Sequence, residues 1–107
     1  MSEFVEFLHE VFAPFGVITT KRMFGGFGVY HEGLMFALVA DDTLYLKADD
    51  QTAPWFDELG CEPFTYQKRA RAVRLSYRQA PESIFDDPEE ALQWARWAYS
   101  AALRAKY

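Results

Sequence analysis

The sequence predicts an α+β fold: one antiparallel sheet flanked by an N-terminal and a C-terminal helix. Three observations point there. Apolar residues recur at helical spacing near both ends of the chain. Between them, short β-branched and aromatic runs are separated by turns too tight for a parallel return, which needs a dozen or more residues. The 107 residues, half of them apolar and 18% aromatic, suffice for one core without disulfide or metal staples. Residues 1–107 are therefore read as a single domain, ordered helix, three or four strands, helix, two strands, helix.

Residues 3–13 form the first predicted helix. Phe4, Val5, Phe7, Leu8, Val11 and Phe12 share one side, and Glu3, Glu6, His9 and Glu10 fill the other. Ser2 can cap its start, Glu3 complements its dipole, and Pro14 and Gly16 end it. Residues 17–47 read as a β-meander. Val17–Met23 is rich in β-branched residues, Gly25-Gly26 permits a tight turn or bulge, and Phe27–Tyr30 is short and aromatic. His31-Glu32-Gly33 is a hairpin loop. Leu34–Val39 is apolar on both faces, which predicts a central strand. Asp41-Asp42 turns the chain into Leu44–Lys47.

Pro54 opens a short helix to Leu59, with Gly60 as its cap. Phe64–Gln67 and Val73–Arg78 make a second strand pair. In the latter, Val73, Leu75 and Tyr77 alternate with Arg74, Ser76 and Arg78. Asp87 as N-cap, Pro88 at N1 and Glu90 at N3 predict a capping box, opening a last helix that runs to about Ala105. One core should gather Phe7, Phe12, Phe36, Leu38, Leu46, Leu75, Tyr77, Leu92 and Tyr99.

The chemical inventory is sparse. Cys61 is alone, so no internal disulfide forms, and a single thiol suits a reducing cytoplasm. The acidic start lacks the basic region of a signal peptide, and no apolar run approaches a membrane span. Gly26-x-Gly28 leads into a strand rather than a helix, so it reads as a close backbone approach and not a dinucleotide loop. His9 and His31 have no partner at metal-ligand spacing, so no metal or other cofactor is expected. Cys61 precedes an acid and Ser76 sits on a strand; no nucleophile with its base can be assembled, and no catalytic residue is named.

Charge is uneven. Residues 1–66 carry eleven acids and three bases, whereas 67–78 carry Lys68, Arg69, Arg71, Arg74 and Arg78 and no acid. This strip reads either as a solvated sheet face or as a contact surface for an acidic protein or phosphate. The net charge of −5 argues against tight direct DNA binding.

The last helix has two apolar stripes. Leu92, Tyr99 and Leu103 should face the sheet. Beside them run Ala91, Ala95, Ala98, Ala101, Ala102 and Ala105, bordered by Trp94 and Trp97. Alanine is the best helix former, which alone would account for the second stripe. The favoured expectation is a two-fold homodimer contact through Trp94, Trp97, Ala98 and Ala101.

At Arg22-Met23-Phe24-Gly25-Gly26-Phe27-Gly28-Val29-Tyr30 the chain resembles the N-terminal domain of the TfoX/Sxy family. The likeness continues through Met35–Val39, Leu44–Lys47, Pro63–Tyr66, Tyr77 and Asp87–Ala98, and so covers essentially the whole chain. It implies a small, often dimeric α+β domain akin to secretion-chaperone folds. Full-length members are regulators of bacterial competence genes that act with the cyclic-AMP receptor protein and carry a second, C-terminal domain. The resemblance supplies no catalytic residues. Taken with the lone thiol and the missing nucleophile, the favoured expectation is a non-enzymatic, cytoplasmic, regulator-like protein working through protein contacts; the alternative, suggested by the fold analogy, is a small dimeric chaperone or adaptor that holds a partner peptide.

Overall fold

The computed structural model describes residues 3–23, 25–68 and 71–106, with backbone alone for 66–68 and 71–74. The elements are α1 (Glu3–Val11), β1 (Thr19–Met23), β2 (Gly26–His31), β3 (Leu34–Ala40), β4 (Thr43–Lys47), α2 (Ala53–Glu58), β5 (Pro63–Lys68), β6 (Arg71–Gln79), a 3-10 turn (Glu82–Phe85) and α3 (Pro88–Lys106). The α+β architecture and the order of elements are as the sequence predicts; the 3-10 turn is an addition.

All six strands form one antiparallel sheet in the order β1-β2-β3-β4-β6-β5. β3 lies inside it, as its two apolar faces require. After β4 the chain crosses through α2 and returns at the far edge as β5, and β6 then fills the place beside β4. Two hairpins explain the meander. Glu32-Gly33 (φ 49° and 81°) and Asp41-Asp42 (φ 50° and 54°) each place two consecutive left-handed residues between paired strands. That geometry matches the strands' own twist.

One side of the sheet carries the core. Val29, Ala37, Val39, Leu44 and Leu46 meet Val5, Leu8 and Phe12 around α1, Phe56 of α2, and the α3 residues Ala91, Trp94, Ala95, Ala98 and Ala102. Phe36 joins them although it is adjacent to Ala37. The register slips between Val29 and Tyr30, so Phe36 becomes an extra residue and turns inward. Its ring packs edge-on to Phe12, with centroids 5.3 Å apart.

Three core expectations are corrected. Phe7 is 39% exposed and stacks on Phe85 instead of entering the core. Leu38 and Tyr77 lie on the opposite sheet face, because they alternate with the inward Ala37, Val39 and Arg78. The α3 stripes are exchanged: Ala91, Ala95, Ala98, Ala101 and Ala102 are buried while Ala105 is exposed, Leu92 and Tyr99 are half-buried, and Leu103 is exposed. A side chain of one methyl lets α3 lie close on the strands, and Trp94 fills the wider gap beside Phe56.

Helix ends follow sequence with one change. Asp87 Oδ1 accepts from the Glu89 and Glu90 N–H groups at 3.0 and 3.3 Å, but Glu90 does not close the box. Its carboxylate accepts instead from Ser83 Oγ and Trp94 Nε1, and the Asp87 N–H donates to the Ser83 carbonyl.

Asp49 ties the far end of α3 to the turn before α2. Arg104 donates to both its carboxylate oxygens, at 2.5 and 3.0 Å, while Oδ1 also accepts from the Gln51 and Thr52 N–H groups. The Arg104 guanidinium, helped by those backbone donors, holds the Asp49 carboxyl below its ordinary range. A depressed carboxyl contributes stability above its unfolded pKa and loses it as pH falls through the folded one. Arg104→Ala is therefore expected to destabilise by about 1 kcal/mol at neutral pH. In thermal melts the gap to wild type should close below about pH 4.

Candidate interaction surface

The register builds the second sheet face row by row. Lys21, Gly28, Leu38, Tyr45 and Gln79 are successive partners across β1, β2, β3, β4 and β6. Thr19, Tyr30 and Met35 form a parallel row, and Lys47 faces Tyr77. Leu44 and Leu46 point into the core, so Tyr45 and Lys47 point away from it. The core-forming residues of α1, α2 and α3 belong to the other face, and no described helix packs on this one.

An antiparallel sheet with one covered face normally reads polar on the other. Here that side carries Tyr30, Met35, Leu38, Tyr45 and Tyr77, with Phe64 of β5 against Tyr45 at 4.8 Å. Leu38 is 5% exposed although no described helix covers it. A Cβ built on Gly28 shows the crowding: it would meet Met23 Sδ, Tyr30 Cε1 and Met35 Sδ within 3.2 Å.

Two lysines stand among these rings. Lys21 Nζ lies 5.1 Å from the Tyr30 centroid, and Lys47 Nζ lies 5.2 Å from that of Tyr77 and bonds Ser76 Oγ. Burial, with a smaller contribution from Tyr30, pushes the Tyr77 hydroxyl up to about 12.

The candidate residues from the sequence fare differently. Arg78 does not project as a solvated base beside Arg74. It is 17% exposed, its Nη2 pairs with Asp57 Oδ1 at 2.6 Å and its Nη1 donates to the Cys61 carbonyl at 2.7 Å. It faces the core side because its partner is Leu46, and it fastens α2 and its following loop to the sheet. Tyr77 and Arg78 still alternate, Tyr77 opposite Lys47 and Arg78 opposite Leu46; beyond them the register of β6 with β5 slips between Pro63 and Thr65. Arg78→Ala should cost about 1.5–3 kcal/mol in urea unfolding, the value of hydrogen bonds made by a charged donor; Arg78→Lys should recover part of that. Lys68, Arg71 and Arg74 lie on the β5–β6 backbone with side chains outside the described residues, and Arg69 is outside them altogether.

Trp94, Ala98 and Ala101 are buried within the chain's own fold, so this stripe is not the second, outward face expected of it. Trp97 is half-buried, stacked on Trp55 at 4.3 Å and edge-on to Trp94. Lys21 and Lys47 were not singled out from sequence; the strict inward Leu44 and Leu46 beside Tyr45 and Lys47 was the available signal.

Elsewhere the chemistry is quiet. A cleft of 390 Å³ is lined by Cys61 with Pro81, Glu82 and Ser83, but burial raises the thiol pKa against a weaker pull from Arg78. Among the described residues, no three His, Cys, Asp or Glu side chains converge as metal ligands, and no helix is long and apolar enough to cross a membrane.

A helix layer on one side of a six-stranded antiparallel sheet, with the other side open and aromatic, defines the class. The TfoX N-terminal domain profile matches residues 10–102, and the chain belongs to that family. It is 30% identical to DNA transformation protein TfoX1 of Aliivibrio fischeri over 103 residues, which covers 90% of this chain and 49% of the relative. It is 30% identical to Protein Sxy of Escherichia coli over 97 residues, 91% of this chain and 46% of that one. A shorter match, 41% over 62 residues, joins it to DNA transformation protein TfoX of Haemophilus influenzae. The chain thus spans about half the length of the first two relatives.

Proposed function

We propose that this chain is a non-enzymatic, regulator-like protein of the DNA-transformation type that acts in the bacterial cytoplasm by binding other proteins through its helix-free sheet face. The observation that carries this reading is the composition of that face: tyrosines, leucine, methionine and two lysines where a solvated antiparallel sheet would be polar. The family membership supports a regulatory role, since relatives are named for DNA transformation. Tight duplex DNA binding is not part of the reading. α3 carries Arg96, Arg104 and Lys106, and Arg104 is committed to Asp49, so this helix presents no run of bases to a major groove.

The test is genetic and biochemical together. Deleting the gene in its source bacterium should change a defined set of transcripts. Wild-type chain should restore them, and Lys21→Glu/Lys47→Glu should not, although it accumulates to the same level. Unchanged transcripts on deletion, or equal rescue by the variant, would contradict the proposal.

A further inference from the structure

The strands are charged with one sign only. Seven of the chain's bases lie in β1–β6, and not one of its sixteen acids does; every aspartate and glutamate sits in a helix, a turn or a connecting segment. On a chain of net charge −5 the strands are therefore the basic part of the sequence, and the helices and connections hold all of its acids. At the described strand positions of the open face, the charged side chains are Lys21 and Lys47, and both stand over tyrosine rings.

We propose that this face docks an acidic protein segment that also carries apolar side chains, its carboxylates meeting Lys21 and Lys47 and its apolar groups packing on Met35 and the half-buried tyrosines. The proposal deepens the contact-surface reading above and rests on it. Charge complementarity selects the occupant. A second copy would bring only further lysines as the charged side chains of the described open face, and so no carboxylate to meet Lys21 and Lys47. Single-stranded nucleic acid would need open ring faces to stack on. Here Lys21 lies over Tyr30, Lys47 over Tyr77, and Phe64 sits edge-on to Tyr45. A peptide needs no open ring face: its carboxylates reach the ammonium groups from outside, and its aliphatic side chains can pack on ring edges and on Met35, which requires no stacking.

The test is a selection that does not presuppose the ligand. Random dodecapeptides displayed on phage are panned against the full chain, and the winners are measured by fluorescence anisotropy against wild type, Lys21→Glu/Lys47→Glu and the milder Lys21→Gln/Lys47→Gln. Circular dichroism confirms that each variant is folded. Enriched peptides should combine Asp or Glu with aromatic or aliphatic residues, and their affinity should fall at least about tenfold for the Glu variant and less for the Gln variant. Enriched peptides that are neutral, basic, or acidic without apolar residues would overturn the inference while leaving the sheet as a contact surface, provided the variants still weaken them. Peptides indifferent to both variants, or no enrichment, would overturn the inference and the contact-surface reading together. Fluorescein-labelled oligouridylate bound more tightly than any peptide, and lost in the Glu variant, would assign the face to nucleic acid and overturn the inference.

Discussion

Gly26→Ala is expected to be the most damaging single-methyl change in the chain. A Cβ at Gly26 would sit 1.9 Å from the Val39 carbonyl oxygen and 3.1 Å from its carbon. Both are backbone atoms of the neighbouring strand, so relief requires β2 and β3 to part at the start of their ladder. The expected loss is about 3 kcal/mol or more, the size that strain in a packed sheet reaches, which lowers the melting temperature by at least about 10 °C in a domain of this length. The adjacent glycines calibrate the claim. At Gly28 the obstructing atoms include the flexible ends of Met23 and Met35, which can move, so Gly28→Ala should cost under about 1.5 kcal/mol. At Gly25 nothing obstructs a Cβ, but φ is +74°, and Gly25→Ala should cost about 1 kcal/mol. Thermal melts of the three variants check the order. A Gly26→Ala protein melting within about 3 °C of wild type would contradict the register of β2 against β3.

Ala98→Glu should unfold the chain rather than merely alter an interface. Ala98 is 1% exposed among Ala95, Ala101 and Ala102, which are as deeply buried. A carboxylate there has no partner and must either remain charged in an apolar site or take up a proton. Either way the cost is about 3–5 kcal/mol, most of the stability of a domain this size. Arg96→Glu, two residues away on the exposed side of α3, should change stability by less than about 0.5 kcal/mol. Urea unfolding of the two variants beside sedimentation separates the outcomes. A folded Ala98→Glu chain would return the alanine stripe to the surface.

Much of the fold is legible because it depends on neighbours in sequence. The Glu32-Gly33 and Asp41-Asp42 hairpins, the Gly60 cap (φ 69°) and the Asp87 cap of α3 each need only a few adjacent residues. The interior place of β3 follows from apolar residues on both its faces. What was not legible depends on distant partners. The β5–β6 hairpin could lie beside β4 through either strand. The two stripes of α3 are both apolar, and which one meets the sheet is decided by how closely the helix can approach, not by hydropathy. Arg78 meets Asp57, 21 residues away, and Arg104 meets Asp49, 55 residues away. The contact surface was hidden for the same reason. Lys21 and Lys47 are separate bases in an acidic stretch, and only the register brings them to one face with Tyr30 and Tyr77.

The central claim, that the helix-free sheet face is where this chain meets its partner, is tested most directly by hydroxyl-radical footprinting. The chain is labelled purified and again in a lysate of its own cells, and side-chain oxidation is read by mass spectrometry. The account predicts that Met35, Tyr45 and Tyr77 become protected in the lysate while Phe7, Trp55 and Leu103 on the helix side keep their reactivity. Protection of Phe7, Trp55 or Leu103 with the sheet face unchanged would contradict it.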